Sequence, residues 1–142
     1  MRRKVRVPKG HFRKRAGERY NGSMGTFRVR IEIGDIERRR FEPIEALVDT
    51  GATYTVLPKG LLQELGVVAH RSTSFALADG RRVERSLGRA WIRLGAQEEF
   101  SLVVFGDDAL LGAVTLEEFL LAPDPVGQRL VPVPALMMRI AA

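Results

Sequence analysis

The sequence predicts an all-β protein, a barrel or sandwich of short strands with one or two short helices. Three observations carry this. Residues 25–33 alternate, with Phe27, Val29, Ile31 and Ile33 on one side and Arg28, Arg30 and Glu32 on the other, the period of a half-buried strand. Short apolar runs recur along the whole chain. Between them stand turn-forming groups, Gly34-Asp35, Asp79-Gly80 and Gly106-Asp107-Asp108. Many strands with frequent turns fit a sheet packed on itself.

In chain order, residues 1–23 hold Pro8, Gly10, Gly17 and Asn21-Gly22 and read as irregular. After the first strand, Gly34-Asp35 predicts a two-residue hairpin with glycine first. The return strand, 36–41, is exposed by Arg38, Arg39 and Arg40. Pro43 breaks it, and 44–49 form a buried strand. A strand at 54–57 leads to Pro58, suited to the first turn of a helix over 59–65 that Gly66 ends. Strands at 72–77 and 81–87 flank the turn at Asp79-Gly80. Two more, 90–94 and 99–105, join near Gly95-Ala96-Gln97, with Trp91 assigned to the core. Thr115 and Glu118 read as a capping box opening a short helix. Phe119, Leu120 and Leu121 fill its inner face and Pro123 stops it. Pro132 and Pro134 make 129–140 edge-like or interfacial.

Length and composition bound the function. A chain of 142 residues is one domain with a real core. It is divided here into a leader, 1–23, and a folded domain, 24–142. The absence of cysteine excludes disulfides, a thiol nucleophile and thiolate metal sites. The longest apolar stretch, 109–122, is interrupted by Glu117 and Glu118 and is too short to span a bilayer. No apolar run follows Met1-Arg2-Arg3-Lys4, so no secretory signal is read. A cytoplasmic protein without membrane contact is the expectation. The net charge of +6 is uneven: residues 1–19 hold nine Lys/Arg and one acid, the remainder fourteen against sixteen. The leader reads first as a solvated segment; a nucleic-acid-contacting arm is the other reading. No aromatic interleaving or zinc spacing supports the latter. His11 and His70 are isolated, Asp107-Asp108 lacks further ligands, and no metal or cofactor is expected.

One stretch carries chemistry. In residues 46–53, Leu47 and Val48 run into Asp49, followed by Thr50, Gly51, Ala52 and Thr53. Val56 and Leu57 lie just beyond. These flanks predict a turn packed inside the protein, where a carboxylate must be paired or share its proton. Asp49 is then a satisfied structural residue or a working one. Thr50 offers a hydroxyl to stiffen the turn, and Gly51 permits close backbone approach.

Leu47-Val48-Asp49-Thr50-Gly51-Ala52 resembles the active-site motif of retropepsin-like aspartic proteases, of the single-lobe cellular and bacterial type. The family places a second signature, two apolar residues and a glycine before a short helix, about sixty residues downstream. Leu110-Leu111-Gly112-Ala113 stands there. Between the two the family has a flap hairpin over the substrate, and the hairpin turning at Ala78-Asp79-Gly80 matches its position. Thr53 and Tyr54 depart from the acidic pair of some viral members, as Ala113 does from their arginine.

The resemblance implies an acid protease barrel and an aspartic endopeptidase. Asp49 is then catalytic, Thr50, Gly51 and Ala52 support its turn, and Leu110, Leu111 and Gly112 support it from below. Residues 76–83, with Ala78, Asp79 and Gly80 at the tip, cover an extended peptide. Two carboxylates in hydrogen-bonding distance share one proton, so one can activate water while the other bonds the scissile carbonyl. The chain carries a single Asp-Thr-Gly, so a homodimer supplies the second aspartate. The apolar tail with Leu136, Met137, Met138 and Ile140 is expected to contribute to its interface. Ala52, bringing no donor to the carboxylate, predicts activity nearer neutral pH than in acid-working relatives. The alternative is the same fold kept as a dimeric peptide-binding or assembly module with little hydrolysis.

Overall fold

The computed structural model describes residues 26–137. The basic leader, Met138 and Ile140 lie outside the described residues. Among the described residues, nine strands and two helices follow in the order β1 (Arg28–Gly34), β2 (Phe41–Val48), β3 (Thr55–Pro58), α1 (Lys59–Glu64), β4 (Ala69–Ala76), β5 (Arg82–Leu94), β6 (Gln97–Gly106), β7 (Leu110–Leu111), α2 (Ala113–Phe119), β8 (Leu121–Asp124) and β9 (Arg129–Pro132). Seven strands form one sheet in the order β1-β2-β7-β3-β6-β5-β4. β1 also pairs with β5, through Glu32–Arg93, Ile33–Ile92 and Gly34–Trp91. Six strands therefore close on themselves as a barrel, and β4 hangs from β5 outside the ring. Closure leaves the six with few free edges. β8 and β9 form a separate hairpin.

The alternation in β1 does what its pattern predicts: Val29, Ile31 and Ile33 are buried and Arg30 is exposed. These side chains meet Ala46 and Val48 of β2, Leu57 of β3, Ala90 and Ile92 of β5, and Val103 and Phe105 of β6. Leu62 of α1 and Leu116 and Phe119 of α2 complete the core. Fully burying a side chain of this size contributes about 1.5–3 kcal/mol.

Several local expectations are corrected. The two-residue hairpin at Gly34-Asp35 is instead a longer loop over 35–40, since Gly34 pairs directly with Phe41. Asp35 explains it: its Oδ1 accepts the backbone N–H groups of Arg39 (2.8 Å) and Arg40 (3.1 Å), offering an alternative to continued pairing. The same two amides, Arg40's first, hold its carboxyl below the ordinary value. Pro43 does not break the strand but sits exposed within β2, opposite Glu32. β7 pairs β2 only at Leu47 and Val48, so Pro43 has a free edge where a missing N–H costs little. The segments 81–87 and 90–94 are one thirteen-residue strand, β5. Trp91 is half-buried on its outer face, between the inward Ala90 and Ile92. Its Nε1–H donates to the Ile36 carbonyl, the Arg38 guanidinium lies 4.3 Å from its ring centroid, and Phe100 stacks at 4.9 Å.

Candidate active site

The strand β2 delivers Asp49 to one end of the barrel. The turn is not enclosed as expected: Val48 and Leu57 are buried, but Asp49 is half-buried and Thr50 and Gly51 are exposed. The flanking apolar residues belong to the strands, which run out of the core just before the turn. Asp49 Oδ1 accepts the Gly51 N–H at 3.0 Å, and the Asp49 carbonyl accepts the Ala52 N–H at 3.0 Å. A Cβ added at Gly51 would stand 3.2 Å from Oδ1, so glycine keeps that approach open. Among the described residues, nothing donates to Oδ2.

The segment after β7 holds this turn from below. Leu47 and Val48 pair in parallel with Leu110 and Leu111. Beyond them the Asp49 N–H donates to the Leu111 carbonyl (3.0 Å). The Ala113 N–H donates to the Ala52 carbonyl (2.8 Å), and the Val114 N–H to the Thr53 carbonyl (2.9 Å). A Cβ at Gly112 would fall 2.5 Å from both the carbonyl carbon and oxygen of Tyr54, and 2.9 Å from the Ala52 oxygen. Glycine is required here for close approach of two backbones, not for an unusual φ, which is −96°.

A buried hydroxyl chain, which reading the sequence missed, fixes this contact. The Gly112 N–H donates to Thr55 Oγ1 (3.0 Å), the Thr55 hydroxyl donates to Thr115 Oγ1 (2.6 Å), and Thr115 lies 2.9 Å from Ser101 Oγ. All three residues are fully buried. If Thr115 donates onward to Ser101, whose Oγ reaches the Leu102 carbonyl at 3.5 Å, every hydroxyl both gives and receives. This corrects the capping box. Thr115 is inside α2, which starts at Ala113 with Gly112 as N-cap and no side-chain cap. The helix's first N–H groups are satisfied instead by the carbonyls of Ala52 and Thr53, which a local sequence pattern cannot reveal. Nor does Pro123 stop α2. The helix ends at Leu120, left-handed with φ 56° and 41% exposed, and Pro123 lies in β8.

Ala78, Asp79 and Gly80 lie at the tip of the β4–β5 hairpin. The Gly80 N–H donates to the Leu77 carbonyl (2.9 Å) and the Leu77 N–H to the Arg81 carbonyl (2.7 Å), with Gly80 at φ +90°. Asp79 accepts the Arg81 N–H on Oδ1 (3.0 Å) and the Arg81 Nε–H on Oδ2 (2.8 Å). These bonds, the backbone one first, hold its carboxyl below the ordinary value of 3.8. The hairpin reaches the Asp49 turn through Phe75, whose ring meets Tyr54 edge-on at 6.2 Å. Leu110, Leu111 and Gly112 thus lie directly under Asp49, while Ala78, Asp79 and Gly80 belong to a separate element.

Among the described residues no group of three or more His, Asp or Glu is arranged to hold a metal ion. No helix among them is long and apolar enough to cross a membrane.

Residues 27–114, more than half of the chain, match a family model described as aspartyl protease. Among solved structures the chain is similar to EIAV protease complexed with the inhibitor HBY-793, with 23% identity and a TM-score of 0.50. That match covers 73% of this chain and 90% of that one. It is also similar to a retropepsin-like aspartic protease from Rickettsia conorii, with 23% identity, coverage of 66% and 71%, and a TM-score of 0.44. None of the curated proteins compared matches. The matched span runs from Phe27 through the Asp-Thr-Gly turn to the Gly112 contact, and the chain belongs to the aspartyl protease family, with a retropepsin-like barrel.

Proposed function

We propose that this protein is an aspartic endopeptidase that works as a homodimer, with Asp49 of each subunit forming the catalytic pair. The observation that carries the proposal is the Asp49 turn. It presents a half-buried carboxylate at the end of the barrel, on a backbone anchored from below by Leu111, Ala113 and Val114. A single such carboxylate supplies half of an acid–base pair. A second copy related by a two-fold axis brings the other half. The pair shares one proton; its ionised member accepts a proton from water as the water attacks the peptide carbonyl, and its protonated member hydrogen-bonds that carbonyl. Thr50 and Gly51 hold the turn, and the β4–β5 hairpin acts as the flap over an extended substrate, which adds main-chain hydrogen bonds. Leu136 and Met137, 90% and 88% exposed, are apolar surface that a dimer interface would cover.

The test compares the unaltered chain with Asp49→Asn on a diverse peptide library, reading cleavage by mass spectrometry. Cleavage by the former, reduced by about a hundredfold or more in the variant, is the expected result. Equal signals, or none from either across a wide pH range, would sink the assignment. A pH–rate profile peaking below about 3.5 would contradict the near-neutral optimum proposed from Ala52. Sedimentation at micromolar concentration should show a dimer, and a strict monomer under assay conditions would leave the site incomplete.

A further inference from the structure

The flap hairpin carries charge that this chemistry does not use. Its faces are set by register: Arg71 stands opposite Leu87, Thr73 opposite Arg85 and Phe75 opposite Val83. Directly opposed partners share a face. Phe75 meets Tyr54, which lies in the turn following Asp49, so this face is the one turned toward the active-site turn. Along the paired strands it bears two guanidiniums, Arg71 and Arg85, and no carboxylate. Glu84 stands opposite Ser74 on the other face, and Asp79 at the tip is bonded to Arg81. In the turn beneath, residues 50–54 are uncharged.

Arg85 is half-buried. One of its five N–H donors is used, Nη1 donating to the Glu84 carbonyl at 3.0 Å. Among the described residues neither Arg71 nor Arg85 forms an ion pair, in contrast to Arg81 with Asp79 and Arg93 with Glu32 and Glu98. Arg82, on the outer face, bonds Ser74 Oγ at 3.2 Å. A guanidinium partly withdrawn from water and lacking a counter-charge gains most from a carboxylate brought to its planar fork. Phe75 and Val83 beside it limit the water that would weaken such a pair.

We infer, resting on the protease reading above, that the flap selects peptides bearing an aspartate or glutamate side chain. Arg85 grips that carboxylate, Arg71 adds charge, and an apolar neighbour in the peptide seats against Phe75 and Val83. The test uses the full chain carrying Asp49→Asn and labelled extended peptides in pairs, identical except for Glu or Gln at one position, scanned along the peptide. At one position the Glu peptide should bind about tenfold tighter by fluorescence anisotropy, the ratio shrinking at high salt. Adding Arg85→Gln should bring the ratio near one. Arg85→Lys, which keeps charge without the fork, should retain part of it. Arg82→Gln, on the outer face, should leave it in place. Circular dichroism confirms the folded fraction of each variant. Equal binding of Glu and Gln peptides at every position overturns the inference. So does a ratio untouched by Arg85→Gln, a ratio equally lost in Arg82→Gln, or no binding of any peptide. Cleavage of the Gln peptides by the unaltered chain reports on the protease reading separately: hydrolysis without acidic preference removes this inference and leaves that reading standing.

Discussion

Around Asp49 every short segment is bonded to another from far along the chain. In β4 and the first residues of β5, 82–86, each strand has, among the described residues, only the other as a ladder partner. The first region is clamped by Leu111, Gly112, Ala113 and Val114 and by three buried hydroxyl residues. The second is exposed along most of β4, and its tip is held by bonds within the turn itself. One strand, β5, belongs to both: from Leu87 onward it pairs with β6 in the barrel. The contrast matches the work proposed for each. A carboxylate pair functions only within a narrow geometry, whereas a cover over the substrate must open and close.

Substitutions can break the contrast, and the largest effect belongs to Gly112. Gly112→Ala forces a methyl against the Tyr54 and Ala52 backbones, which cannot yield as a side chain would. It should cost about 3 kcal/mol in denaturant unfolding and remove activity; stability like that of the unaltered chain would show that the clamp is slack. Thr55→Val comes next. It leaves the Gly112 N–H and the Thr115 hydroxyl without their buried partner, for about 2 kcal/mol, while Thr55→Ser should recover most of the loss. Because the hydroxyls act as one chain, Thr55→Val and Thr115→Val together should cost clearly less than their sum. Additive losses would mean independent contacts.

Gly88 tests the border between the regions. A Cβ there would meet the Val68 carbonyl oxygen at 2.6 Å, and Gly88→Ala should cost about 1 kcal/mol, less than Gly112→Ala, since only one backbone atom must move. The smallest effect is at the tip of the β4–β5 hairpin. The Asp79 carboxyl is lowered by the Arg81 N–H and guanidinium, so its contribution is fully present above its ordinary value of 3.8. It is lost as pH falls below that, through the lowered value. The Arg81 amide should lose hydrogen-exchange protection in that window while the Gly112 amide keeps it. Simultaneous loss at both would mean that the Asp49 turn and the β4–β5 hairpin open as one unit.

Much of this was legible in the residues. The β1 alternation, the turns at Gly80 and Gly95 and the short helix after Pro58 all have local signatures, whereas the partnership of the Asp49 turn with Leu110-Leu111-Gly112 was legible only through the family resemblance. What failed did so where a side chain looked local and acted at a distance. Thr115 has the spacing of a cap, yet its hydroxyl serves Thr55, sixty residues away. Gly34-Asp35 has the composition of a tight hairpin, yet the Asp35 carboxylate prefers the amides of Arg39 and Arg40. Trp91 looked like core by size, but strand parity put Ala90 and Ile92 inside. The burial of the Asp49 turn was inferred from flanking residues that stop short of it. The roles of Thr55 and Ser101 had no signal, because only the parallel pairing of β3 with β6, and the packing of α2 on both, bring them together with Thr115.

The four ties between 49–55 and 111–114 also make a statement about length. Asp49, Ala52, Thr53 and Thr55 each meet a fixed counterpart, so one residue inserted between any of them would leave later partners out of step. The hairpin tip holds no such correspondence with a distant segment, and the loop over 35–40 meets distant residues only through their side chains, Trp91 at the Ile36 carbonyl, Glu98 at Arg38 and Glu64 at Arg40. Deletions and insertions should therefore be filtered severely in the first stretch and lightly in the other two. As lineages of this fold drift apart, their alignments should remain gapless from the aspartate to Thr55 while the 35–40 loop and the β4–β5 hairpin grow and shrink.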